Sequence, residues 1–142
     1  GHSGNGPEIP LVDFGRAPRS RDHRAHIIGK MVAASASAAS GDSTVEAIQA
    51  AVQRVVAQDA DDFLVFAVSD ANLGSYGITP EVLRRTLMED PRVSACVVFI
   101  AERDAAEMLA KTLPPGKGYA CLDLERLPTV LKEVFAHAAV SG

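Results

Sequence analysis

The sequence predicts an α/β fold, a parallel sheet flanked by helices, and three observations predict it. Two apolar runs, Phe63 to Ser69 and Val93 to Ile100, have the near-continuous hydrophobicity of strands buried on both faces of such a sheet. Around them lie stretches whose apolar residues recur at helical spacing. Prolines and capping residues separate the two kinds of segment, giving the strand, helix, strand, helix rhythm of parallel crossovers.

The elements follow in order. Ile9 to Phe14 reads as a short edge strand, and Asp22 to Ala34 as a helix, followed by a small-residue connection from Ser35 to Gly41. Val45, Ile48, Val52, Val55 and Val56 then mark one helical face, and Ser43-Thr44-Val45-Glu46 has the form of a capping box at its start. The strand Phe63 to Ser69 comes next. Thr79-Pro80-Glu81 opens another helix with proline in its first turn, carrying Val82, Leu83 and Leu87 inward until Pro91 stops it. After the strand Val93 to Ile100, Asp104-Ala105-Ala106-Glu107 caps a short helix bearing Met108 and Leu109. Pro114-Pro115-Gly116 breaks the chain before a strand from Tyr119 to Leu122. Leu127, Val130, Leu131, Val134, Phe135 and Ala138 form the apolar stripe of a closing helix.

Composition narrows the function classes. A chain of 142 residues with 47% hydrophobic content can bury one sizeable core. A net charge of -4, from 14 basic and 18 acidic residues, gives no basic footprint for nucleic acid. The longest apolar run falls far short of the roughly 20 residues that span a bilayer. Cys96 and Cys121 lie within apolar strands and lack a framework spacing, so free thiols in a reducing interior are expected. His23 and His26 sit among Arg16, Arg19, Arg21, Arg24 and Lys30, a solvated surface or a dock for an acidic partner. Pro115-Gly116-Lys117-Gly118 lacks the form of a phosphate loop, and neither a nucleophile elbow nor a dinucleotide fingerprint occurs. Enzyme chemistry within the chain is therefore not expected.

Asp70 is the residue on which function turns. It ends the first apolar run at the carboxyl end of a strand, where open parallel sheets bind ligands. Burial there costs an aspartate free energy unless its charge is compensated, so a cation, a hydrogen-bond cluster or a helix start is expected opposite it, and a divalent metal is the leading candidate. The competing reading makes Asp70 a cap for the turn that follows, through Asn72 or Gly74.

Several segments together resemble von Willebrand factor A domains. They are Gly41-Asp42-Ser43-Thr44-Val45-Glu46-Ala47 before a helix and the strand Phe63 to Ser69 ending in Asp70-Ala71-Asn72-Leu73. Gly1-His2-Ser3-Gly4, Pro10-Leu11-Val12, Tyr76-Gly77-Ile78, Asp90-Pro91 and Thr112-Leu113-Pro114 support them in order. The resemblance implies a Rossmann-like sheet and a metal-dependent, MIDAS-type protein-interaction module. It implies too a place at the carboxyl end of a larger AAA+ ATPase, in the mitochondrial matrix of a eukaryote or the cytoplasm of a prokaryote.

In that family the metal also takes ligands from a D-x-S-x-S loop after the first strand, and no such motif occurs here. The chain, residues 1–142, is accordingly expected to be the later portion of the domain, without its first strand-helix-strand segment and prone to self-association. The resemblance suggests Thr44 and Asp70 as ligands of Mg2+, with an acidic side chain from a protein partner completing the shell. Ser43 takes the place of Thr44 if the register shifts by one, although Ser43 also reads as the helix N-cap; Asp42 could be drawn in as well. The rival function is a receiver-like phosphoacceptor domain in which Asp70 takes a phosphoryl group.

Overall fold

The computed structural model describes residues 9–36 and 43–141, and the chain forms two compact units, Gly1–Ser43 and Thr44–Gly142. Gly1-His2-Ser3-Gly4, Ser40-Gly41 and Asp42 lie outside the described residues.

In the first unit, the expected strand from Ile9 to Phe14 does not form. Pro10 has no N–H to give to a ladder, and the segment runs into a turn in which the Arg16 N–H donates to the Asp13 carbonyl at 3.1 Å, with Gly15 at φ +72°. Helix α1, Arg21–Ala36, starts one residue earlier and ends two later than the spacing predicts. Ser20 caps it, its hydroxyl accepting from the His23 N–H at 3.1 Å. His23 and His26 are exposed, as are Arg16, Arg19, Arg21 and Arg24.

The second unit runs α2 (Thr44–Val56), β1 (Phe63–Ser69), α3 (Pro80–Leu87), β2 (Val93–Ile100), α4 (Arg103–Thr112), β3 (Gly118–Cys121) and α5 (Leu127–Ser141). Short 3-10 turns at Leu73–Tyr76 and Leu124–Arg126 follow β1 and β3. Both strand pairs among the described residues are parallel, in the order β1-β2-β3, with Phe63 opposite Val93 and Val97 opposite Gly118. This is an α/β, Rossmann-like arrangement.

Strand alternation assigns the two faces. Val65, Val93, Ala95, Val97 and Phe99 form one core with Ile48 of α2, Leu83 and Leu87 of α3, Ala106 of α4, and Leu73 and Leu113 from the connections. The opposite face carries Cys96, Val98 and Cys121 against Val130 and Val134 of α5. Of the strands among the described residues, only β2 is buried on both faces. The same expectation fails for β1, where Phe66 is 39% and Val68 51% exposed, because β1 is the edge strand and α5 packs on β2 and β3.

Local corrections have physical causes. Thr79 caps α3, its hydroxyl accepting from the Val82 N–H at 3.3 Å, but Val82 is exposed and Thr86 takes the inward position. The Thr86 hydroxyl donates to the Val82 carbonyl at 2.9 Å, which satisfies it there. Helix α4 begins before Asp104, with Glu102 at the N-cap and no side-chain cap bond. Glu107 pairs with the side chain of Arg103, the first residue of the helix, at 3.7 Å. Cys96 and Cys121 are free and buried. Cys121 stands opposite Ile100, four residues along β2 from Cys96, about 13 Å at strand rise, so no disulfide can join them.

Candidate functional site

The carboxyl end of β1 is shaped by side chains bonding to the backbone that follows. The buried Ser69 hydroxyl accepts from the Ala71 N–H at 3.2 Å. One Asp70 carboxylate oxygen, Oδ1, accepts from the Asn72 N–H at 3.1 Å, the turn-capping arrangement weighed as the alternative to a metal. The Ser75 hydroxyl donates to Asn72 Oδ1 at 2.7 Å. These bonds hold Ala71 at φ +66°, a left-handed conformation that costs a non-glycine residue about 1–2 kcal/mol. Leu73, 2% exposed, anchors the loop in the core. Gly77 at φ +73° closes the 3-10 turn, its N–H donating to the Gly74 carbonyl and that of Ile78 to the Leu73 carbonyl.

Asp70 itself is exposed. Its burial was the reason to demand a counter-ion, and that reason falls, because the edge position of β1 leaves the strand end open to water. What remains is a carboxylate fixed through Oδ1 at the carboxyl end of the sheet.

Thr44 reaches the same end through the direction of α2. Thirteen helical residues cover about 20 Å and seven strand residues about 23 Å, and α2 packs along β1 through Ile48, Ala51, Val52, Val55 and Val56. Residues 57–62 reverse the chain between them. Val52, Gln53 and Val56 lie beside Asp90 and Arg92, which precede β2, so the end of α2 sits at the amino end of the sheet and its start at the carboxyl end. Thr44 is the first residue of α2 and half-buried; Ser43 precedes it in the N-cap position. Among the described residues, no three His, Cys, Asp or Glu side chains converge on one point. A threonine hydroxyl and a carboxylate are oxygen donors of the kind that hard Mg2+ accepts, but they are too few without waters and further oxygens.

Ser69 and Ala71 shape this loop without being candidate ligands. A serine one residue before a strand-end aspartate and the Asp-x-Asn spacing after it are the signals that mark this side-chain-bonded loop.

No family model matches the chain, and no solved structure does. The chain is similar over its whole length to von Willebrand factor A domain-containing protein 8 of Mus musculus, with 35% identity over 143 residues, and spans 8% of that protein's length. The resemblance read from the motifs is thereby borne out.

Proposed function

We propose that this chain, a relative of one segment of von Willebrand factor A domain-containing protein 8, is the later part of a metal-dependent protein-interaction module. The observation that carries the reading is the antiparallel α2–β1 pair, which brings a helix-start hydroxyl and a strand-end carboxylate to one end of the sheet. Thr44, or Ser43 in the shifted register, and Asp70 would hold Mg2+ together with oxygens from an upstream D-x-S-x-S loop. The ion would supply an open position for an acidic side chain of the partner, and Asn72 would keep Asp70 oriented toward it. ATP turnover would belong to the rest of a larger AAA+ parent, mitochondrial in a eukaryote and cytoplasmic in a prokaryote.

The edge strand supports the same reading. Among the described residues nothing pairs with the outer edge of β1, and Phe66 and Val68 lie exposed beside it. A further strand, with its helix, would cover both. Without it, open ladder groups and apolar surface favour self-association.

Calorimetry with magnesium tests the proposal. The chain extended upstream through a D-x-S-x-S loop should bind at micromolar levels, the chain alone at millimolar levels or weaker, and Asp70→Ala should abolish binding in the extended form. Micromolar binding by the chain alone, or unchanged binding in Asp70→Ala, would reject the ligand assignment. Covalent modification by acetyl phosphate that vanishes in Asp70→Ala would favour the phosphoacceptor instead.

A further inference from the structure

At the amino end of the sheet, away from Thr44 and Asp70, the face under α5 carries a pocket of about 120 Å3 that is open to solvent on one side. Its walls include Leu64, Ser94, Cys96, Lys117 and His137. Strand register puts these groups together. Val97 pairs with Gly118, so Lys117, one step earlier, stands opposite Cys96 on the α5 face. The Lys117 carbonyl accepts from the Val97 N–H at 2.9 Å and pins the start of β3. Gly116, at φ +78°, brings the preceding turn against α5 so closely that a β-carbon there would overlap the His137 ring.

The lining is unbalanced in charge. Lys117 is half-buried, no carboxylate lines the cavity, and among the described residues no ion pair involves this lysine. Ser94 adds a hydroxyl donor. Burial pushes the Cys96 thiol up to about 11 although Lys117 opposes the shift, so at neutral pH the thiol brings no negative charge. A cation drawn into a recess beside hydrogen-bond donors lacks an acceptor that carries charge.

We propose that this cavity binds a small oxyanion, a carboxylate or a phosphate, held by the Lys117 ammonium and the Ser94 hydroxyl. Size sets what the recess itself can hold: a cavity of about 150 Å3 takes one benzene, so one acetate or one inorganic phosphate fits within it. The site is separate from the proposed metal site and stands or falls without it.

Proton–carbon NMR of the His137 ring, with the amides of Val97 and Gly118, reads binding in the whole chain. Sodium acetate and sodium phosphate are titrated separately at constant ionic strength, with sodium chloride as the reference. At least one anion should give saturable shifts, and which one does so separates a carboxylate ligand from a phosphate. Lys117→Met, which keeps the aliphatic length, should weaken binding by about tenfold or more, and Ser94→Ala by about two- to tenfold. Lys117→Arg should bind within about threefold of the unaltered protein. Lys132→Met, on the exposed side of α5, should bind as before. Lack of saturation with both anions would overturn the proposal, as would unchanged binding in a folded Lys117→Met or an equal loss in Lys132→Met. If Lys117→Met fails to fold, Ser94→Ala with unaltered affinity has the same force.

Discussion

On one face of the sheet Val65, Val93, Ala95, Val97 and Phe99 lie under α2, α3 and α4, none more than 6% exposed. On the other, α5 covers β2 and β3, while Phe66, Val68 and Phe135 remain 39%, 51% and 54% exposed. Phe66 and Phe135 meet edge to face, their ring centroids 6.3 Å apart, at the boundary of this cover. The strands that supply both faces are equally apolar, so strand hydrophobicity does not decide burial here. The number and placement of covering helices do. The well-covered face holds the fold together, and the open one is where further structure has room to dock.

The largest expected effect contrasts one phenylalanine from each face. Phe99→Ala should cost about 3–5 kcal/mol, the range for a fully buried aromatic, whereas Phe66→Ala should cost well under half of that. Urea unfolding of both variants checks the contrast, and equal losses would mean that Phe66 is covered after all. A second prediction addresses the open face directly. Val68→Lys should leave the urea midpoint nearly unchanged while reducing the concentration-dependent association that the open face is expected to give in sedimentation velocity. A compact monomer at high concentration for the unaltered chain would remove the basis for that prediction.

Part of this contrast was legible in the sequence. Both bounds of β1 and β2 are those of the apolar runs, because a run ended by Asp70, or flanked by Pro91 and Glu102, leaves no other place for a strand to begin and stop. The exposure of Phe66 and Val68 was not legible, since sheet order and the position of α5 are tertiary facts. Ile9 to Phe14 misled because a few apolar residues look strand-like even where Pro10 removes a donor and Gly15 turns the chain. At the candidate site the sequence marks Asp70 at a strand end and Thr44 at a helix start, and it marks the turn that Asn72 closes. It does not mark the Lys117–Cys96 pairing, because cross-strand register is set by packing rather than by either strand alone.

Smaller effects sharpen the account of the covered face. Thr79→Ala removes the cap of α3 and should cost about 1 kcal/mol, measurable as a shift in the thermal midpoint. Asp90, in the turn that leads into β2, receives both Arg92 Nε at 3.0 Å and Nη2 at 2.6 Å. That hydrogen-bonded pairing holds its carboxyl down from 3.8 to about 2. A carboxylate whose folded pKa is depressed stabilises above its unfolded pKa and loses that contribution as pH falls through the folded one. Stability should therefore decline between about pH 4 and pH 2, and Asp90→Asn should flatten that limb of the acid titration without altering the rest. An identical acid limb in the variant would assign the loss to other carboxylates.

The central claim, that Thr44 and Asp70 together form this chain's share of a cation site, is tested most directly by paramagnetic broadening with Mn2+ as a magnesium surrogate. At millimolar Mn2+ the account predicts that amide signals of residues 44–46 and 69–73 broaden first and together, and that Asp70→Ala abolishes the effect at both segments. Broadening centred on Asp59, Asp61 and Asp62 at the other end of β1, or broadening at residues 69–73 that persists in Asp70→Ala, would contradict it.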